Sequence, residues 1–322
     1  MPAAEAVKRF AADLAALGPI DGDVGLAVSG GPDSLALLLL AHAALGARCR
    51  ASTVDHRLRA EAAGEAAEVA AICAGLGVTH DTLTVEWAET PTTNIQAAAR
   101  QARYKLLGQW ALDQRLGAVL VAHHADDQAE TLLMRLARGS GVAGLAGARA
   151  KSILVERDGT TVWRLRPLLG WRRADLGGIV ASARLDPIDD PANRDPRFDR
   201  SRVRALLGAN DWADPLRLAA AASHLADADE ALRFAVNSLA AERISVLGRG
   251  ITVDVSGLPR ELKRRLLLTA LDRAGERPPR GPDIERLLAT LEAGGAGTLG
   301  SVKLIGGSPW QLEPAPPRRR DC

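Results

Sequence analysis

Short apolar runs and segments with helical periodicity alternate along the first two thirds of the chain. Such apolar runs are typical of strands buried in a parallel sheet. Short links join the two kinds of segment, and this alternation predicts an α/β fold with a doubly wound parallel sheet. The predicted strands are residues 24–28, 48–54, 78–85, 118–122, 152–155 and 161–165, and the predicted helices are residues 1–18, 35–40, 61–75, 94–115 and 132–138.

The last third of the chain lacks this alternation. Helical periodicity marks residues 212–243, 260–274 and 283–292, and a proline-rich connector at 185–200 precedes them. We therefore expect an α/β domain over residues 1–210 and a smaller, mainly helical domain over 211–314. Residues 315–322 are polar and proline-rich, and we expect them to be disordered.

The amino-acid composition excludes few classes of protein. The chain has 322 residues, of which 47% are hydrophobic, so it can build two cores. It contains neither an apolar run long enough to span a bilayer nor a signal-peptide core, which predicts a cytoplasmic protein without membrane contact. The net charge is only +2. Basic residues nevertheless concentrate in 135–173 and again at 260–265, which suits a polyanionic partner, although a solvated arginine-rich face explains the charge equally well.

A glycine-rich turn, S-G-G-P-D-S (29–34), joins the first strand to a helix. Gly30 and Gly31 let the backbone turn sharply, and Pro32 suits the first position of a helix. Amides at the amino end of a helix bind anions such as phosphate. The turn is not a Walker motif, because no Lys-Ser or Lys-Thr follows the glycines. The alternative is an ordinary strand-to-helix turn, which does not account for Asp33 and Ser34.

A second polar turn, H-H-A-D-D-Q-A-E-T (123–131), follows the strand at 118–122. Asp127 and Glu130 are three residues apart, so they share one helix face. Paired carboxylates facing phosphates provide the oxygen ligands that Mg²⁺ requires. Acidic capping of the helix accounts for one carboxylate only. A zinc site is disfavoured, because adjacent histidines on a strand, such as His123 and its neighbour, point to opposite faces.

Two other residue sets bear on chemistry. Arg100 and Arg103 lie on one helix face, where they can bind phosphates or form surface salt bridges. Cys49, Cys73 and Cys322 form neither a C-x-x-C pair nor a zinc pattern. This argues against iron–sulfur or persulfide chemistry.

The turn at 29–34 resembles the pyrophosphate-binding loop of the N-type ATP pyrophosphatases, the PP-loop enzymes. Within that superfamily, the chain resembles the tRNA(Ile)-lysidine synthetase family over residues 20–210. Residues 166–169 and 190–204 fit the same family, and the C-terminal third fits it loosely. The segments that carry the resemblance are V-D-H-R-L-R (54–59), N-I-Q-A-A-A-R-Q-A-R-Y (94–104), A-H-H-A-D-D-Q-A-E-T (122–131) and R-L-A-R-G-S-G-V-A-G-L (135–145).

This resemblance implies a Rossmann-like PP-loop catalytic domain and a ligase that modifies tRNA. Members of the family use ATP to join free L-lysine to carbon 2 of the wobble cytidine of tRNA(Ile) with a CAU anticodon. The reaction passes through an adenylated cytidine and releases pyrophosphate and AMP. The helical domain is then expected to contact tRNA. Larger relatives carry a further C-terminal domain. The sequence therefore does not show how the chain would bind distal parts of the tRNA.

The resemblance also assigns roles by position. Asp33 and Asp127 are implied to hold Mg²⁺, and Glu130, Arg100 and Arg103 to act near the cytidine and the phosphates. ATP contacts are implied for Ser29, Gly30, Gly31, Pro32, Asp33, Ser34, Asp55, His56 and His123, and tRNA contacts for Arg202, Arg204, Arg260, Lys263, Arg264 and Arg265.

Two other functions compete with lysidine synthesis. Another PP-loop tRNA-modifying enzyme, such as a tRNA thiolase, would need reactive cysteines that the sequence does not display. A non-catalytic nucleotide- or RNA-binding module would have no use for paired carboxylates beside a phosphate loop. The sequence does not identify the lysine-binding residues or the oligomeric state, and a homodimer is one state that it allows.

Overall fold

A computed structural model describes residues 1–59, 61–188, 199–248, 250–277, 279 and 281–315. The chain divides into two compact units, Met1–Ala226 and Asp227–Cys322, and the boundary expected near residue 210 precedes this division. Most of the predicted connector (189–198) and of the predicted tail (316–322) lies outside the described residues.

The first unit has the predicted α/β architecture. Its strands are β1 (Val24–Ala27), β2 (Cys49–Asp55), β3 (Thr79–Thr84), β4 (Ala118–Leu120), β5 (Lys151–Arg157) and β6 (Thr160–Leu165). Its helices are α1 (Ala4–Ala15), α2 (Pro32–Leu45), α3 (Ala62–Leu76), α4 (Ile95–Asp113), α5 (Ala125–Leu136), α6 (Val142–Leu145), α7 (Arg173–Ser182), α8 (Asp199–Gly208) and α9 (Pro215–Arg243), and the last of these continues into the second unit.

The six strands form one sheet in the order β3-β2-β1-β4-β6-β5. Strand β1 pairs in parallel with β2 and β4, and β3 and β6 extend the parallel array on either side. Only β5 runs antiparallel, and it forms a hairpin with β6. Asp158 and Gly159 turn this hairpin with positive φ angles of 51° and 77°. The mainly parallel sheet is therefore confirmed.

Helices cover both faces of this sheet, because neighbouring strand residues point in opposite directions. Leu120 packs into one core together with α1, α2, α3 and α7. Val119, its neighbour in β4, packs into a second core against Leu107 and Trp110 of α4. Helix α2 is apolar all round and buried, with its leucines 35 and 37–40 at most 2% exposed. The carboxyl edge of the sheet, where β1 leads into α2, is consequently fixed from both sides.

The second unit contains an antiparallel sheet that periodicity did not predict. Helices α10 (Arg260–Arg273) and α11 (Gly281–Glu292) match the prediction, and they pack with Trp310 into one core. The sheet order is β7-β8-β11-β10-β9, with strands β7 (Ile244–Leu247), β8 (Gly250–Val253), β9 (Ala296–Leu299), β10 (Val302–Ile305) and β11 (Trp310–Pro314). Four or five residues per strand give too few alternations to identify a strand from sequence. Among all described helices, none is both long and apolar enough to cross a membrane.

Arg265 is tied into the second unit by carboxylates. Its side chain is 9% exposed, and its guanidinium lies 2.7 Å from both Asp229 and Glu261. Asp229, on α9, is itself 4% exposed and also pairs with Arg233 at 3.0 Å. Removal of one partner from a buried ion pair leaves an uncompensated charge.

We therefore expect Arg265→Ala to lower the free energy of unfolding of this unit by about 2 kcal/mol. This is less than the usual cost of about 3–5 kcal/mol, because Arg233 still pairs with Asp229. Urea unfolding followed by circular dichroism measures the change. Arg286→Ala is the matched control, since Arg286 is 80% exposed beside Asp283 and its loss should cost less than about 1 kcal/mol. Equal effects of the two substitutions would contradict a structural role for Arg265.

Candidate active site

The loop between β1 and α2 is held in one conformation by its own side chains and by a distant segment. Gly30 has a φ of +81°, and its carbonyl accepts the N–H of Ile188 at 3.0 Å. The Ser34 hydroxyl accepts the Ser29 N–H at 3.1 Å and donates to the Gly31 carbonyl at 2.9 Å. Among the described residues, no side chain caps α2 at Gly31. The first amides of α2 are therefore available to an anion.

His124 lies at the centre of a group of carboxylates. It ends the turn after β4, caps α5 and is fully buried. Its Nε2 lies 3.3 Å from Asp33 Oδ2 and 3.5 Å from Asp127 Oδ2, and its Nδ1 lies 3.6 Å from Asp126 Oδ2. Burial alone would lower the pKa of His124, but the three carboxylates outweigh it and raise the pKa to about 9. The Asp127 N–H also faces Nδ1 at 3.4 Å, a long contact that only the neutral ring could accept. The surrounding negative charge favours the imidazolium.

His123, the preceding residue, has the opposite environment. It lines the cleft described below, and burial, reinforced by Arg166, Arg100 and Arg200, lowers its pKa far below the ordinary value. Its Nδ1 is buried without a partner among the described residues. His123 is therefore a neutral ring that can exchange hydrogen bonds with a ligand. The two adjacent histidines differ because arginines surround His123 whereas carboxylates surround His124.

Asp33 and Asp127 come from different elements and meet at His124. Asp33 Oδ1 is buried without a donor among the described residues, so this oxygen lacks the partner that a buried carboxylate needs. Asp127 Oδ1 accepts a hydrogen bond from Arg200 at 2.6 Å. Two hard oxygen donors at the mouth of an anion-binding loop suit Mg²⁺, which completes its shell with phosphate oxygens and water. Among the described residues, no set of three acidic, His or Cys side chains forms a complete metal site.

Glu130 is a buried anchor for arginines from two other helices. Its side chain is 1% exposed and contacts Arg173 at 3.1 Å, Arg200 at 2.6 Å and Arg204 at 2.9 Å. Burial would raise the pKa of Glu130, but hydrogen bonds from Arg204 and Arg200 lower it overall. The carboxylate stays ionised and holds the amino ends of α7 and α8 against α5.

The loop, the carboxylates and these arginines surround one cleft of about 480 Å³ in the first unit. Most of the predicted site residues of this unit meet there. The cleft is lined by Ala27, Val28, Ser29, Gly31, Pro32, Asp33, Ser34, Ser52, Val54, Arg100, Arg103, Tyr104, Leu107, Val121, Ala122, His123, Asp127, Arg173, Ile188, Arg200 and Arg204. The apolar wall from Val54 and Leu107 suits a base, and the arginines suit phosphates.

Other predicted residues of the first unit lie outside this lining. Asp55 accepts the Arg57 N–H at 2.8 Å, which shapes the turn after β2. Burial, followed by the charge of Arg103, lowers the pKa of His56 to about 4. Arg202 is 72% exposed and lies 3.7 Å from Asp199.

The four predicted basic residues of α10 belong to the second unit, and each lies beside a carboxylate. Arg260 and Lys263 both pair with Glu292, at 3.5 and 3.6 Å. Arg264 pairs with Glu261 at 2.6 Å, and Arg265 is the buried residue described above. This cluster therefore presents less positive charge than its composition suggests.

Sequence reasoning missed the arginines that complete the cleft. Arg173 begins α7, and Arg200 lies in the first turn of α8. Arg173 lies in a segment noted only for its basic character, and Arg200 lies in the stretch 190–204, where the resemblance pointed to Arg202 and Arg204 instead. Glu130 contacts Arg173 and Arg200 across 43 and 70 residues of sequence. The paired Arg172 and Arg173 directly before a helical segment were the available signal.

Comparisons with known proteins agree with this geometry. A family model described as a PP-loop domain matches residues 4–210. The tRNA(Ile)-lysidine synthase of Novosphingobium aromaticivorans is 48% identical, over 98% of this chain and 96% of that protein. The enzymes of the same name from Zymomonas mobilis and a Bradyrhizobium species are 43% and 41% identical, over 94% and 99% of this chain and 91% and 96% of their own length.

A solved structure supports the fold. The U34-tRNA thiolase NcsA from Methanococcus maripaludis superposes with a TM-score of 0.55, over 68% of this chain and 78% of that chain. The two sequences are only 16% identical, so this likeness concerns the fold alone.

The loop geometry predicts unequal tolerance at two adjacent glycines. At Gly30, φ is +81° and an added Cβ would lie 2.2 Å from Ile188 Cδ1. Gly30→Ala should therefore lower the free energy of unfolding by about 1–3 kcal/mol. At Gly31, φ is −70° and the nearest atom to an added Cβ is Ser29 Oγ at 3.9 Å, so Gly31→Ala should leave stability unchanged or raise it by up to about 1 kcal/mol. Urea denaturation compares them, and equal destabilisation would contradict the described loop conformation.

Proposed function

The chain belongs to the tRNA(Ile)-lysidine synthase family, and from this premise we propose that it ligates free L-lysine to carbon 2 of the wobble cytidine of tRNA(Ile) with a CAU anticodon. The observation that carries the proposal is the meeting of an anion-binding loop with Asp33 and Asp127 in one arginine-lined cleft. Relatives of this name match the chain over nearly its whole length. ATP and tRNA as substrates imply that the enzyme works in the cytoplasm.

ATP binds in the cleft in this proposal. The amides at the amino end of α2 bind its outer phosphates, and the Ser34 hydroxyl keeps the loop in place through its bonds to Ser29 and Gly31. Asp33 and Asp127 would hold Mg²⁺, whose positive charge would offset the negative charge of the phosphates. The unpartnered Asp33 Oδ1 is the acceptor that such an ion would satisfy.

The reaction has two displacements. The carbonyl oxygen on cytidine carbon 2 attacks the α-phosphate, a new oxygen–phosphorus bond forms, and pyrophosphate leaves. The deprotonated ε-amine of lysine then attacks carbon 2, and the carbon–oxygen bond breaks as AMP leaves. Arg100, Arg103, Arg173 and Arg200 line the cleft where negative charge develops, and fixed cations there lower the barrier.

Glu130 acts as a positioning residue in this scheme. Its lowered pKa makes it a weak base, whereas its three arginine contacts hold Arg173, Arg200 and Arg204 at the cleft. Burial gives the two carboxylates different roles. Glu130 is 1% exposed, so it acts through its arginines, whereas Asp127 lines the cleft.

Incorporation of labelled lysine tests the proposal. Purified protein, ATP and an isoleucine tRNA transcript with CAU should yield RNA that carries the label, together with pyrophosphate and AMP. Pyrophosphate release should require the tRNA, and label incorporation should require ATP. If another nucleophile enters the RNA and lysine never does, the chain has the activity of a different member of the PP-loop superfamily.

Loss of charge at the paired carboxylates should abolish adenylation. Asp33→Asn and Asp127→Asn keep the shape of each side chain but remove the negative charge that would hold Mg²⁺. We expect pyrophosphate release to fall by at least about 100-fold in each variant, on the scale of one lost electrostatic contact to a transition state. Asp158→Asn, in the exposed turn between β5 and β6, is the control and should retain the wild-type rate. Wild-type release by either site variant would exclude the assigned role.

The cysteines should be dispensable, which separates lysine ligation from sulfur transfer. Cys49 and Cys73 are buried in the core, and burial raises the pKa of each thiol to about 11. Such thiols are poor nucleophiles. Cys322 lies outside the described residues.

Replacement of all three cysteines by alanine should therefore leave lysine incorporation within about threefold of wild type, apart from packing losses at the two buried sites. Circular dichroism verifies that the variant is folded. A folded variant that has lost all tRNA modification would favour the thiolase alternative.

A further inference from the structure

Trp212 is the only one of the six tryptophans in the chain that is largely exposed. Its side chain is 81% exposed, in the turn between α8 and α9. The other five are buried or half-buried: Trp87, Trp110, Trp163, Trp171 and Trp310. Aromatic residues make up only 3% of the sequence. The chain thus has few aromatic rings, and it buries nearly all of its indoles. An exposed indole has lost the burial that makes tryptophan stabilising, which points to a ligand.

The turn that carries Trp212 is anchored on both sides of the ring. Ala213 is 6% exposed, and its N–H donates to the Asn210 carbonyl at 3.2 Å. Asp214 accepts the Leu216 N–H at 2.8 Å, which caps the start of α9. The backbone around Trp212 is thus fixed while the ring stays in solvent. A ring on a fixed turn loses little conformational entropy when it binds a flat partner.

The same turn is connected to the arginine side of the cleft. Asp214 Oδ1 lies 3.9 Å from Arg172 Nη1. Arg172 also contacts Asp126 at 3.3 Å, and the next residue, Arg173, lines the cleft. Trp212 is therefore two residues away from an ion pair with Arg172, whose neighbour Arg173 lines the cleft. We take the surface around Arg172 and Asp214 as the rim of the proposed active site.

The charges near this rim favour RNA over a protein partner. Five arginines line the cleft, against two carboxylates: Arg100, Arg103, Arg173, Arg200 and Arg204, against Asp33 and Asp127. Arg217, one residue beyond Leu216 in the first turn of α9, is exposed. Cations for phosphates beside an exposed ring for bases are the combination that binds single-stranded RNA.

We propose that Trp212 is a stacking platform for an unpaired nucleotide of the tRNA anticodon loop, and that it holds the loop against the rim while the wobble cytidine enters the cleft. This inference rests on the proposed function, which supplies the RNA. Every base offers a π-face, so the platform contributes affinity and orientation and leaves base identity to other contacts.

Binding of an RNA hairpin that contains the CAU anticodon loop tests this inference in the full-length protein. Trp212→Ala should raise the Kd for the hairpin by about 5- to 100-fold, the range for loss of one stacked base. Trp212→Phe, which keeps a ring, should stay within about threefold of wild type. Phe234→Ala is the matched control, since Phe234 is 75% exposed on α9, and its Kd should not change.

Intrinsic fluorescence supplies a second readout. The hairpin should quench the emission of the wild-type protein by an increment that is missing in Trp212→Phe, because a stacked base quenches an indole. Folded Trp212→Ala that binds the hairpin with wild-type affinity would overturn the platform. So would equal losses in the Trp212 and Phe234 variants, or a loss of self-association in Trp212→Ala with RNA affinity retained.

Failure of the platform and failure of the proposed function give different results. If the wild-type protein incorporates lysine and Trp212→Ala binds the hairpin normally, only the platform is wrong. If the wild-type protein incorporates no lysine but loses hairpin affinity in Trp212→Ala, the platform holds and the proposed reaction is wrong.

Discussion

Carboxylates crowd together at the carboxyl edge of the parallel sheet, and cations from neighbouring elements offset their charge. Burial alone would raise the pKa of Asp126 and of Glu130, but hydrogen bonds from those cations lower both. His124 sits between Asp33 and Asp127, and arginines of α7 and α8 surround Glu130. The phosphate loop, the position of α8 on α5 and the shape of the cleft all depend on this balance, since removal of one member leaves a buried charge uncompensated.

This arrangement leaves an excess of positive charge at the cleft. The basic residues of α10 lie in ion pairs within the second unit, and Arg265 is buried there. Salt bridges of this kind leave little net field for a polyanion. The cleft arginines, by contrast, outnumber the carboxylates beside them. We therefore attribute more of the attraction for tRNA to the first unit than the composition of the sequence suggests.

The sequence revealed the parts of the site that are contiguous in the chain. Ser29 to Ser34 and Asp127 with Glu130 are local patterns, and their placement at strand ends follows from the order of strands and helices. The ion pairs that join α5 to α7 and α8 span 43 to 74 residues, and no periodicity or motif encodes such partners. The role of His124 was not predicted for the same reason, because its contacts with three carboxylates are known only once the fold has brought the carboxylates together. The five short strands of the second unit were not predicted, because four or five residues show too little alternation of apolar and polar positions.

Transfer of the α-phosphate of ATP to RNA tests the central claim most directly. The protein is incubated with ATP labelled at the α-phosphate and a tRNA(Ile) transcript with CAU, first without lysine and then with it. The account predicts label on the RNA before lysine is added, and release of that label as AMP once lysine arrives. Label that never reaches the RNA, or that appears on lysine or on the protein instead, would contradict an adenylated cytidine in this cleft.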